Sequence, residues 1–173
     1  IPTPRGGGMA IIISLITGLL LSFFFTPDDW KTGTVLLFCT AAVAFIGFLD
    51  DHGHINAMLR LAIHFLVAIA VVISLGGFGS VAVFGGVQLG FLANIIAVLF
   101  LVWLLNLYNF MDGINGLAAL QTVFVCGSMS LIFFLKAKHT ETLLLMLTLS
   151  SASLGFLYWN FPRAKLFMGD AGS

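Results

Sequence analysis

The stretch FLANIIAVLFLVWLLNLYNFMDGINGLA, Phe91 to Ala118, decides how this sequence is read. A helix crossing a bilayer needs about 20 mostly apolar residues, within a range of about 17 to 25, and Phe91 to Tyr108 meets that requirement without a charge. The run then ends in Asn109, Asp112 and Asn115. An acid at mid-membrane costs about 2.5 to 3.5 kcal/mol on insertion scales and less towards the interface, so such residues usually mark a functional site. Something hydrated or charged is expected to bind there.

The rest of the chain has the same character. Of its 173 residues 60% are hydrophobic and 8% charged, with a mean hydropathy of +1.13, whereas soluble domains carry about 25% charged residues. The sequence is therefore that of an integral membrane protein. Seven basic residues balance seven acidic ones, which gives no basic field for a nucleic acid, while small anionic ligands remain compatible. Cys39 and Cys126 lie inside apolar runs without metal-ligand spacing and are expected to be reduced packing residues. A chain that starts at Ile1 and stops at Ser173 just after a glycine-rich acidic motif reads as an internal piece of something longer.

Six spans are predicted: Met9 to Phe25, Gly33 to Leu49, Leu59 to Leu75, Phe91 to Tyr108, Leu117 to Leu135 and Thr142 to Phe161. Pro27 with Asp28 and Asp29, the polar stretch Lys136 to Glu141, and Pro162 punctuate them. Gly76 to Gly90 alternates small and branched residues between glycine pairs and is expected to form a short hairpin-like loop. The fold class is thus an all-α polytopic transmembrane bundle, a single domain over residues 1–173. Counting spans places Asp50, Asp51, Asp112 and Asp170 on one face. Asp28, Asp29 and Glu141 fall on the other, beside Lys31, Lys136 and Lys138. Arg5, Arg60, Arg163 and Lys165 against three lysines is too even a split for the positive-inside rule to orient the chain.

Asp50 and Asp51 follow the second span, where the helix dipole already disfavours negative charge. Mutual repulsion between adjacent carboxylates is relieved by a cation or a shared proton, although two interfacial acids in water are equally compatible with a bare pair. Asp112 stands in Asp-Gly-Ile-Asn-Gly, where Gly113 and Gly116 permit a tight turn; it also reads as a capping aspartate at the start of the fifth helix. Asn109, one turn earlier, offers a neutral oxygen that Mg2+ accepts beside carboxylates and phosphate. The segment NFPRAKLFMGDAGS, Asn160 to Ser173, combines Lys165 and Asp170 with two glycines, equipment for a nucleoside diphosphate or a plain turn between helices. Arg5 with Gly6, Gly7 and Gly8 suits phosphate or a simple linker. His64, one turn from Arg60 on the same helical face, is expected to be an inward-facing, satisfied histidine. His52 and His54 flank Gly53 beside the acid pair and suit phosphate or water; His139 lies on the other face.

Four motifs, PTPRGGG at Pro2 to Gly8, FLDD at Phe48 to Asp51, NLYNFMDGINGLA at Asn106 to Ala118, and NFPRAKLFMGDAGS, together resemble the polyprenyl-phosphate N-acetylhexosamine-1-phosphate transferases of glycosyltransferase family 4. Their order and the number of spans between them match across essentially the whole chain. The Arg-Gly-Gly-Gly and Asn-Phe-Met-Asp-Gly-Ile-Asn-Gly forms look like the bacterial branch that starts O-antigen and related surface polysaccharides, since the muramoyl-pentapeptide branch usually carries Pro-Thr-Met-Gly-Gly.

The resemblance implies transfer of a sugar 1-phosphate from a UDP-N-acetylhexosamine to undecaprenyl phosphate, with release of UMP and a requirement for Mg2+. Asp170 would be the principal metal ligand with Asn109 nearby. Asp112 and Asn115 would line the nucleotide and diphosphate site, Asp50 and Asp51 would serve the lipid phosphate, and Arg5, Gly6, Gly7 and Lys165 would touch phosphate. It also implies a multi-pass protein of the bacterial inner membrane, with the acid-rich face cytoplasmic and the glycine-rich loop periplasmic. The family carries a further span before the first motif, several after the last, and a histidine-containing sugar-recognition loop, so this stretch by itself is expected to be inactive. An ion-coupled transporter also places acids at membrane depth, but buries them near mid-bilayer rather than at span ends. Sugar identity and oligomeric state, a homodimer included, stay open.

Overall fold

The protein is described by a computed structural model covering residues 3–25, 30–53, 55–78, 82–83, 87–136 and 140–173; for 23–25, 30, 82–83, 87–88 and 140 only the backbone is described. Asp28, Asp29, His54, Lys138 and His139 lie outside the described residues. Among the described residues six helices follow one another: α1 (Gly8–Phe25), α2 (Trp30–Gly53), α3 (Ala57–Ser74), α4 (Phe91–Met111), α5 (Leu117–Lys136) and α6 (Thr140–Asn160). Five of them, α2 to α6, are long and apolar enough to cross a membrane. The sixth, α1, has 18 residues, about 27 Å at 1.5 Å per residue. The expected all-α transmembrane bundle is therefore what the chain forms. Between α3 and α4, β1 (Ala82–Val83) pairs antiparallel with β2 (Val87–Gln88), the small hairpin that the glycine pairs foretell.

The helices are apolar on all sides and present Phe100, Trp103, Phe124, Leu131 and Phe134 outward, as expected where the solvent is hydrocarbon. Hydroxyl groups in such helices cannot rely on water. Thr17 Oγ1 donates to the Ile13 carbonyl at 2.7 Å, Thr122 to Ala118 at 2.9 Å and Ser130 to Cys126 at 2.7 Å, each one turn back. Because lipid is as apolar as leucine, close packing of small residues has to hold helices together. Accordingly α6 packs most extensively on α5, with Ser153 almost fully buried and Ser150 Oγ donating to Val123 O at 3.4 Å.

Around the bundle, α6 adjoins α1, α1 adjoins α2, α2 adjoins α3 and α3 adjoins α4, while α4 touches α5 only slightly. The buried core of Ile11, Ala118, Ala119, Phe156 and Met168 sits at the end where α1 starts and α6 stops. There the chain after α6 folds back over the bundle. Phe167 pairs in parallel with Arg5; Gly7 N–H donates to Phe167 O at 2.9 Å, Gly8 N–H to Met168 O at 2.8 Å, and Phe167 N–H to Pro4 O at 2.9 Å. Glycine is needed at position 8, since a Cβ there would collide with the backbone of Gly172.

Candidate active site

Two acids fasten the tail to the helix ends directly, and a third reaches it through Arg60. Asp51, in the last turn of α2, accepts the N–H of Asp170 at 3.2 Å on Oδ1 and that of Ala171 at 3.3 Å on Oδ2. Asp112, which terminates α4 in a right-handed helical conformation, accepts Met168 N–H at 3.3 Å and Gly169 N–H at 3.0 Å. Asp50 accepts Ile55 N–H at 2.8 Å and an Arg60 N–H at 2.6 Å. The same Arg60 nitrogen, Nη1, donates to Asp170 Oδ2 at 3.1 Å. Gly169 takes φ +79° directly against the Asp51 carboxylate.

Two sequence expectations change here. Helix α2 runs to Gly53, so Asp50 and Asp51 belong to its final turn rather than following it. Asp112 does not cap α5; its carboxylate is drawn to the tail amides, two converging donors from a segment 56 and 57 positions away.

Asp170 is the shared member of the cluster. It hydrogen-bonds to Asn109 from α4 and faces Asp50 and Asp51. Burial first, then the hydrogen bond with Asp50 and the Asp51 charge, push its carboxyl above its ordinary pKa, while Asn109 and Arg60 pull the other way. With Arg5, Asn109, Asp112, Gly113, Phe167 and Gly169 it lines an open cavity of about 250 Å³. A larger cavity of about 620 Å³ lies between α3 and α4 at their opposite ends, apolar apart from Asn94. It holds no titratable group, and the smaller pocket is where chemistry is equipped.

The structure thus brings Arg5, Asn109, Asp112 and Asp170 to one pocket, with Asp50 and Asp51 against its Asp170 wall. Other expected site residues stand apart from that lining. Gly7 is buried and spends its N–H on Phe167; Gly6 precedes it at φ +112° with open space around its Cα. Asn115 is exposed, its Nδ2 donating to Pro162 O at 3.3 Å. Lys165 is exposed, its ammonium 5.8 Å from the centre of the Trp159 ring. His52 turns back on its own helix, Nδ1 donating to Phe48 O at 2.8 Å.

Two residues that the motif reading passed over are central. Arg60, an ionisable group at the start of an apolar helix, joins Asp50 to Asp170; its position in the sequence was itself a signal. Asn160, only 3% exposed, receives Gly116 N–H at 2.5 Å on Oδ1 and donates to Leu166 O at 2.9 Å. It couples the loop after α4 to the tail that carries Asp170.

Among the described residues no three His, Cys, Asp or Glu side chains form a ready-made metal cage. Mg2+ does not require one, being bound by one or two carboxylates together with substrate phosphates. Asp170, Asp112 and the Asn109 amide provide hard oxygen donors on the rim of the pocket, a donor set that fits Mg2+.

Residues 33–173 match the family model described as glycosyl transferase family 4. A probable undecaprenyl-phosphate N-acetylglucosaminyl 1-phosphate transferase of Bacillus subtilis (strain 168) is 34% identical over 98% of this chain and 47% of its own length. Phospho-N-acetylmuramoyl-pentapeptide-transferases are similarly related: that of Streptococcus pneumoniae (strain 70585) is 31% identical over 99% of this chain and 55% of its own length. For that of Streptococcus suis (strain 05ZYH33) the figures are 35%, 97% and 54%. The chain spans about half the length of these curated relatives. With six helices, an acid-lined pocket at one end and a family match over most of its length, the chain belongs to glycosyl transferase family 4.

Proposed function

We propose that the protein of which this chain is a part transfers N-acetylhexosamine 1-phosphate from a UDP-sugar to undecaprenyl phosphate, at the cytoplasmic face of a bacterial inner membrane. The observation that carries this reading is that Asp112 and Asp170 share one pocket rimmed by Arg5, with Asp50 and Asp51 packed behind its Asp170 wall. The relatives' names, which specify sugar-1-phosphate transfer, support it.

In this reaction an oxygen of the lipid phosphate attacks the phosphorus that bears the sugar. The bond from that phosphorus to the oxygen bridging it to the UMP phosphate breaks, and UMP leaves with the bridging oxygen while the lipid oxygen becomes the new bridge. Two anions have to approach each other, so opposing charge must be in place beforehand. Arg5 binds diphosphate oxygens from the pocket edge, and Asn109 and Asp170 hold the metal-facing side. Asp170 and Asn109 would hold a Mg2+ ion there, which would supply positive charge against the transferring phosphate. Arg60 bridges Asp50 and Asp170 through Nη1 and offsets their mutual repulsion. The carboxylates of Asp50 and Asp51 are already engaged by N–H donors, which blunts them as covalent nucleophiles and favours direct in-line attack.

The Arg5 to Gly8 motif favours an N-acetylhexosamine donor and a role in starting O-antigen or a related surface polysaccharide. Near-complete coverage of the chain by the muramoyl-pentapeptide transferases favours a second reading, in which UDP-N-acetylmuramoyl-pentapeptide is the donor. UMP release by membranes containing the full-length parent, with undecaprenyl phosphate, a panel of UDP-sugars and either Mg2+ or EDTA, tests both. Asp170→Asn and Asp112→Asn should each lower turnover by at least about a hundredfold, the scale of losing one preorganised charge contact, without loss of membrane-inserted protein. Near-normal turnover in both variants removes the site assignment; turnover with none of the sugars removes the reaction.

A further inference from the structure

His64 lies in the interior of α3 and is only 6% exposed. Its Nδ1 stands 3.5 Å from Asn106 Nδ2 on α4. Asn106 spends one N–H on Val102 O of its own helix, at 2.7 Å, which leaves the other for His64. An imidazole that accepts at Nδ1 carries its proton at Nε2. This pair is one turn below the pocket on both helices: Arg60 precedes His64 by four residues, and Asn109 follows Asn106 by three. Arg60 and Asn109 are also the two side chains that reach Asp170 from α3 and α4.

Apolar packing in lipid allows two helices to slide or rotate with little penalty, whereas a polar pair between them has one good register. We propose that the His64–Asn106 pair is a register pin. His64 is a positioning residue that fixes the distance between Arg60 and Asn109 and thereby the orientation of Asp170. The proposal rests on the transferase reading for its kinetic consequence, but its geometric consequence stands apart from it. A displacement of about 1 Å at reacting groups can slow an enzyme by about a hundredfold, so a small loss of register is enough to be seen.

The test uses the full-length parent with Cys39 and Cys126 replaced by alanine and spin labels at cysteines substituted for Met58 and Phe110, exposed positions near the pocket ends of α3 and α4. His64→Leu and Asn106→Leu should each broaden the distance distribution between the labels and lower kcat by about ten- to a hundredfold, with KM for either substrate within about twofold. His64→Gln, whose side-chain oxygen can accept the same N–H, should restore both readouts, and the double leucine variant should lose no more than one single variant. An unchanged distance distribution with unchanged kcat in the leucine variants overturns the proposal. So does His64→Gln behaving like His64→Leu, which also covers the case of a leucine variant that fails to fold. Were the unlabelled parent inactive on every donor, the reaction would fall while the distance measurement still decided the pin.

Discussion

Gly169 lies so close to Asp51 that a methyl group on its Cα would stand 2.6 Å from Asp51 Oδ2. That carboxylate cannot easily retreat, because it holds the N–H groups of Asp170 and Ala171. At φ +79° any other residue is strained as well, by about 1–2 kcal/mol. Gly169→Ala should therefore lower the melting temperature in detergent and cut turnover by more than about tenfold, while Gly53→Ala, which meets nothing within 4 Å, leaves both near wild type.

Asn160→Ala should be among the most destabilising changes that alter no charge. It strands the Gly116 N–H and the Leu166 carbonyl, each worth about 1–3 kcal/mol when buried without a partner. A loss of about 2–4 kcal/mol is expected from equilibrium unfolding in mixed micelles, with Asn160→Asp intermediate because it keeps the acceptor for Gly116 and loses the donor to Leu166.

Arg60→Gln removes the cation between Asp50 and Asp170 and leaves two carboxylates facing each other. Both side chains retain some exposure, 14% and 29%, so solvent screening holds the cost to about 1–2 kcal/mol. Mg2+ should raise the melting temperature of Arg60→Gln more than that of wild type, since added positive charge replaces what was lost. Arg60→Lys should fall between them, keeping the charge without the planar fork. Equal responses to Mg2+ in all three proteins would separate Arg60 from the cation site.

Orientation is read by reporters. A fusion after Pro162 should report the cytoplasm and one at Leu89 the opposite compartment; a cytoplasmic signal at both would break the span count.

The spans were legible because hydropathy and length act locally, and Pro162 and the glycine pairs of the α3–α4 loop punctuate without reference to tertiary structure. The common face of the four acids followed from counting spans. What each acid holds was not legible. Asp51 and Asp112 are satisfied by amides of the tail, and no local rule links residues more than a hundred positions apart, as Asp51 is from Asp170. The glycine run shows the same limit: Gly7 and Gly8 look like a phosphate cradle, yet their N–H groups belong to Phe167 and Met168. Arg60 was visible as a charge in an apolar helix, but only the fold supplies its two partners. Asn160 carried no signal beyond its place at a helix end.

The folded-back tail has a consequence for biosynthesis. Asp170 reaches Asn109, Arg60 and Asp51 only when Leu166 to Ala171 lie over the ends of α1, α2 and α4. Helices inserted one after another by the ribosome and translocon therefore wait with this cluster unassembled, and Asp51 and Asp112 gain their tail partners only once Leu166 to Ala171 have docked.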